Sequence, residues 1–221
     1  MKHGYLPRRG FLTSILAAGA ALGFSGAVTA QSTQSRRGSS APDESWLTNL
    51  TGAHRQVFDA SSVQNGKVLS QVRNFLDAYG EAYGLADSEV SAAVVVHGSA
   101  FPLVFDDATW ARFRLGERFG FQDPGTKEAA ARNVFVQVRA GDPVPSEASL
   151  DALQRRGVVF VLCNNTLKRV TGDLARAAGR TPESVREELL AGLLPGVTVV
   201  PAAVVALNRA QEHGLTYVYS G

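Results

Sequence analysis

The stretch Val90-Ser-Ala-Ala-Val-Val-Val96-His97-Gly98 decides the fold class. It is short, β-branched and apolar without interruption from Ala92 to Val96, and it is closed by a polar residue and a glycine. A strand with apolar residues on both faces is buried on both faces, as in a parallel sheet covered by helices. A second stretch has the same form: Gly157-Val-Val-Phe-Val-Leu-Cys163-Asn-Asn-Thr-Leu167, a buried strand running out into a polar loop.

Outward from these two strands, β-branched runs alternate with helical patterns. His54–Asp59 reads as a first strand. Val68, Leu69, Val72, Phe75, Leu76, Tyr79 and Tyr83 fall at the three- and four-residue spacing of a helix face packed on the core. Asp107–Phe119 reads as one helix, with Asp106 and Asp107 as capping candidates. Ser146-x-x-Ser149 opens a short helix through Arg156, and a further helix runs from Leu167 to about Ala178. Thr181-Pro182-Glu183 is a strong helix start, with threonine as N-cap and proline at the first helical position. Val197–Val200 and Leu215–Tyr219 read as strands on either side of a helix, Ala202–His213. Strands separated by helices predict a doubly wound, mainly parallel α/β sheet. Between residues 120 and 146 the chain is rich in Gly, Pro, Asp and Arg. This reads as an excursion, with one extra short strand expected over Asn133–Arg139.

The first thirty residues read as an address. Lys2, Arg8 and Arg9 precede the apolar stretch Phe11–Val28, and Val28-Thr29-Ala30 offers small residues for cleavage after Ala30. Arg8-Arg9-Gly10-Phe11-Leu12 resembles a twin-arginine export signal, with Pro7 in place of the usual Ser or Thr. A periplasmic or otherwise exported protein is expected, in contact with the membrane only during export. Residues 31–45 read as a flexible linker and 46–221 as one α/β domain. Cleavage removes three of the 22 basic and none of the 20 acidic residues, which leaves a net charge of about −1. No basic field of the kind nucleic-acid binding needs is present. One cysteine rules out an internal disulfide framework. Four histidines and that cysteine show no metal-ligand spacing, and no phosphate-binding glycine loop is found, so neither a metal nor a cofactor is expected.

Cys163 has two readings. Open α/β sheets place chemistry at the carboxyl ends of their strands, which makes a thiol there a candidate reactive group. Free cysteine is also among the most buried residue types and often only packs. In the first reading, Asn164, Asn165 and Thr166 line the site and backbone N–H groups at the start of the next helix favour the thiolate. His97, at the end of the neighbouring strand, would supply a proton or a charge. Trp110, Phe113, Arg112 and Arg114 suggest a subunit contact shared with the excursion, since Trp and Arg are enriched at interfaces. The competing expectation is that the excursion forms a lid above Cys163.

Three strings carry a family resemblance: Arg156-Gly-Val-Val-Phe-Val-Leu-Cys163-Asn-Asn-Thr-Leu167, Leu193-Leu-Pro-Gly-Val-Thr-Val-Val-Pro201, and Asn208-Arg-Ala-Gln-Glu-His-Gly-Leu-Thr-Tyr-Val-Tyr219. Together with the strand ending in His97-Gly98, they resemble the DsrE/DsrF-like family over roughly residues 54–221. The resemblance implies a three-layer, flavodoxin-like α/β fold around a five-stranded sheet, often in a homo-oligomer. It also implies a cysteine near a strand end that carries sulfur as a persulfide, or relays it to a protein or small sulfur compound. The alternative is a non-catalytic oligomeric binding or scaffold protein. The family is mostly cytoplasmic, whereas this chain carries an export signal, and its excursion exceeds what a minimal member needs.

Overall fold

The computed structural model describes residues 42–221. The expected signal sequence, residues 1–30, and most of the expected linker, residues 31–45, lie outside the described residues. In chain order the elements are α1 (Ser45–Thr48), β1 (His54–Ala60), α2 (Lys67–Tyr83), β2 (Val90–Val96), α3 (Asp107–Phe113), α4 (Leu115–Phe119), α5 (Leu150–Arg155), β3 (Val159–Cys163), α6 (Asn164–Ala178), α7 (Pro182–Ala191), β4 (Thr198–Val200), α8 (Ala203–Glu212) and β5 (Thr216–Tyr219).

The strands form a five-stranded sheet in the order β4-β3-β2-β1-β5, and every pair is parallel. The expected three-layer α/β fold is therefore what the chain adopts. Side chains alternate between two cores, as the period of two requires. Phe58, Val94, Val96, Phe160 and Leu162 face the first core together with α2, α5, α6 and α7. Val57, Ala93, Val95, Val161 and Cys163 face the second, covered by α8 and by Trp46, Leu47 and Leu50 around α1.

Handedness explains this division. From β1 to β4 the chain steps in one direction across the sheet, and right-handed crossovers place all the intervening helices on one face. From β4 it returns across the whole sheet to put β5 beside β1, so α8 must lie on the other face. Neighbouring strands β3 and β4 thus lead into helices on opposite sides. That is the topological switch point of this sheet, where open α/β folds form a crevice.

Local chemistry sets the helix ends. Asp106, Ser149 and Thr181 each accept a backbone N–H of the following first turn, from Thr109, Ala152 and Ser184. The helix opened by Ser149 begins at Leu150, after a 3-10 turn over Ser146–Ala148. Two expectations change here. The single helix over Asp107–Phe119 is broken at Arg114, which lies in the left-handed region at φ 50°. The break turns Gly116 onto the backbone of Ala130, where a Cβ would meet the Ala130 carbonyl oxygen at 2.1 Å. Nor does the helix after β3 wait until Leu167. It starts at Asn164, so the expected polar loop is the helix's first turn.

The excursion also departs from expectation. Asn133–Arg139 forms turns, not a strand. The side chain of Asn133, 1% exposed, donates to the carbonyls of Leu103 and Phe105 and accepts from Phe135 N–H. A short polar side chain that occupies backbone partners in this way displaces a ladder. Arg132 ties the segment together through Asp123 and the fully buried carboxylate of Asp142. Val134, Phe135 and Val144 complete the first core. The excursion therefore sits across the sheet from Cys163 and is no lid above it. Trp110 is likewise internal: it is fully buried, and its indole N–H donates to the Pro102 carbonyl at 2.9 Å. A subunit contact through Trp110 is excluded by that burial, and Arg112 is occupied by Glu188.

Candidate functional site at the carboxyl edge of the sheet

Cys163 is the last residue of β3 and the N-cap of α6, with φ −65° and ψ 117°. It lies at the switch point derived above. Its side chain points to the second core and Sγ accepts the backbone N–H of Ala203, the first residue of α8, at 3.2 Å. Two helices thus begin at this residue: α6 follows it directly, with no capping bond to the sulfur, and α8, on the other side of the sheet, starts at the N–H that the sulfur accepts. The residue is 4% exposed, packed with Val161, Val200 and Ala203.

His97 follows β2 directly. The β2–β3 register pairs Val96 with Leu162, so His97 and Cys163 occupy the next position on each strand. The backbone of His97 is fixed by its N–H to the Ala60 carbonyl at 3.0 Å. Its ring partner is Asp59, with Nε2 at 2.7 Å from Oδ1. The other carboxylate oxygen of Asp59 accepts the Tyr217 hydroxyl at 2.9 Å. That hydrogen bond, burial and the charge of Asp59 push the Tyr217 phenol above its ordinary range, so it remains a donor. Nearby, the Tyr219 hydroxyl meets Ser61 Oγ at 3.1 Å, and Ser61 Oγ donates to the Gly221 carbonyl at 3.1 Å.

The three polar residues after Cys163 separate. Thr166, buried, accepts the Gly98 N–H on its hydroxyl at 3.2 Å and so ties α6 to the turn after β2. That turn needs glycine. Gly98 has φ +57°, and a Cβ would meet the Ser61 carbonyl oxygen at 2.5 Å. Asn164 accepts from Arg186 of α7 at 2.8 Å. Asn165 is exposed. Of the residues expected to line a binding site, one is engaged internally, one is held by an arginine and one faces solvent.

Asp59 and Tyr217 are the site residues that the sequence reading missed. The signal was present in β1, where Asp59 interrupts the apolar run Val57-Phe58-Ala60. A carboxylate at a strand position buried on both faces requires partners, since an unpaired buried charge is strongly unfavourable. Both partners come from distant sequence, so only the sheet order reveals them.

No protein-family model matches the chain, and no curated protein is significantly similar to it. Among solved structures the chain is similar to a protein of unknown function from Methanobacterium thermoautotrophicum, at 20% identity and a TM-score of 0.39, covering 75% of this chain and 98% of that one.

Proposed function

We propose that the chain is an exported DsrE-like protein that carries sulfur, or redox equivalents, on Cys163, as a carrier more than a turnover enzyme. The observation that carries this reading is the Ala203 N–H aimed at Sγ at the switch point of the sheet. A thiol that takes up sulfur must present its sulfur to donors that stabilise negative charge, and a helix start supplies them. In the uptake step the Cys163 thiolate attacks a terminal sulfur of a polysulfide. A Cys–S–S⁻ persulfide forms and the shortened polysulfide leaves; transfer to an acceptor thiolate reverses the process. The partner is a small sulfur compound or a sulfur-accepting protein. Export rests on Arg8-Arg9 and the small residues before Gln31.

A second reading is favoured by one observation, the 4% exposure of Cys163. In it the cysteine only packs, and the protein is a non-catalytic, oligomeric binding or scaffold protein. Intact-mass measurement of the mature protein after exposure to polysulfide separates the two. The carrier gains one sulfur atom, and the gain disappears in Cys163→Ser. A thiol that stays unmodified in the native protein yet labels in denaturant leaves only the packing role.

A further inference from the structure

Asp59, His97 and Tyr217 come from β1, the end of β2 and β5, three neighbouring strands whose order is set by the return crossover through α8. Both oxygens of Asp59 are used, Oδ1 by His97 Nε2 at 2.7 Å and Oδ2 by Tyr217 at 2.9 Å. A carboxylate only accepts hydrogen bonds, so in the neutral ring the proton sits on Nε2 and the lone pair is on Nδ1. The Asp59 side chain is 12% exposed and that of His97 27%, so the carboxylate is shielded while the ring is reachable.

We propose that these residues form an acid–base site, on the same sheet face as the thiol but not requiring it to react, that serves a small molecule bearing a weakly acidic thiol or hydroxyl. His97 Nδ1 takes the proton from that group and becomes imidazolium. Asp59 balances the charge, and the proton passes from Nδ1 to water or returns to the same molecule before it leaves. His97 is the catalytic residue. Asp59 and Tyr217 are positioning residues: one fixes the tautomer and the other fixes the carboxylate. Tyr217 and Tyr219, 46% and 59% exposed, are alternate residues on one face of the edge strand β5 and offer an aromatic wall to the apolar part of the molecule. None of these side chains depends on Cys163 being reactive, so the site stands whether or not the carrier reading does.

The tautomer is the direct test. In two-bond ¹H–¹⁵N spectra of the mature protein at a pH where the ring is neutral, His97 shows a protonated Nε2 and a bare Nδ1. In Asp59→Asn the amide oxygen accepts from Tyr217 and the amide N–H₂ faces Nε2, so the proton moves to Nδ1. Diethyl pyrocarbonate, which acylates unprotonated imidazole nitrogen, reads the same change chemically. His97 modification, relative to the exposed His54 and His213 of the same molecule, falls about tenfold in Asp59→Asn and less in Tyr217→Phe. A neutral wild-type ring protonated on Nδ1 overturns the proposal, and that result needs no variant to fold. A modification ratio that Asp59→Asn leaves unchanged overturns it as well. Persistence of the His97 result in Cys163→Ser shows that it does not depend on the thiol.

Discussion

At the scale of single residues, the carboxyl edge is held by backbone and hydroxyl contacts that few substitutions preserve. Thr166 shows this most simply. Its hydroxyl is the acceptor for the Gly98 N–H, and through that bond α6, the helix that starts beside Cys163, is fixed to the turn that carries His97. Valine has nearly the same shape and no acceptor. Thr166→Val leaves the N–H without its partner and is expected to destabilise the fold by about 1–3 kcal/mol. Thr166→Ser, which keeps the hydroxyl, loses less. Urea midpoints at constant slope measure both. Equal losses for Val and Ser would mean that the methyl group, not the hydrogen bond, is what matters at this position.

At the scale of elements, α3 and α7 are joined through one carboxylate. Glu188 of α7 accepts from Arg180 and from Arg112 of α3, and these hydrogen bonds, led by that of Arg180, hold its carboxyl down to about 2 from 4.5. A carboxyl depressed in the folded state stabilises the fold above its unfolded value and loses that contribution as it is protonated. The stability difference between wild type and Glu188→Gln is therefore expected at neutral pH, to shrink as pH falls below 4.5, and to be gone near 2. A difference that stays constant over that range would assign the effect of the substitution to packing. Elements also show what could be read in advance. The parallel sheet was legible because Ala92–Val96 and Val158–Leu162 are apolar on both faces, and the Thr181-Pro182 start of α7 because capping is local. The break at Arg114 and the missing strand at Asn133 were not legible. Both depend on contacts between segments far apart in sequence, Gly116 on Ala130 and Asn133 on Leu103 and Phe105. Trp110 misled for a related reason. Composition marks an aromatic residue beside arginines as interfacial, and only the fold reveals that this indole faces inward.

At the scale of the whole molecule, the two faces of the sheet are covered unequally. The first carries α2, α5, α6, α7 and the excursion; the second carries α8 and α1. Cys163 is on the thinner side, while His97, Asp59 and Tyr217 lie at the same carboxyl edge. The start of α8 is an uncapped part of that cover. Its N-cap, Ala202, has no side chain to close the first turn, and Val204 is 75% exposed. Ala203 N–H meets the cysteine sulfur there, so opening only the first turn of α8 would uncover Sγ. A carrier requires this local opening, because a sulfur reached only by global unfolding cannot serve a folded protein. Local and global openings differ in how much surface they expose, and so in their dependence on denaturant. The most direct measurement is the labelling rate of Cys163 by a small thiol reagent in the native protein, with urea raised stepwise below the unfolding transition. A finite rate in water is expected, nearly flat at low urea and rising only when global unfolding takes over. A rate whose logarithm climbs with the full slope of global unfolding from the first addition of urea would contradict it, and would leave Cys163 as a packed residue of the second core.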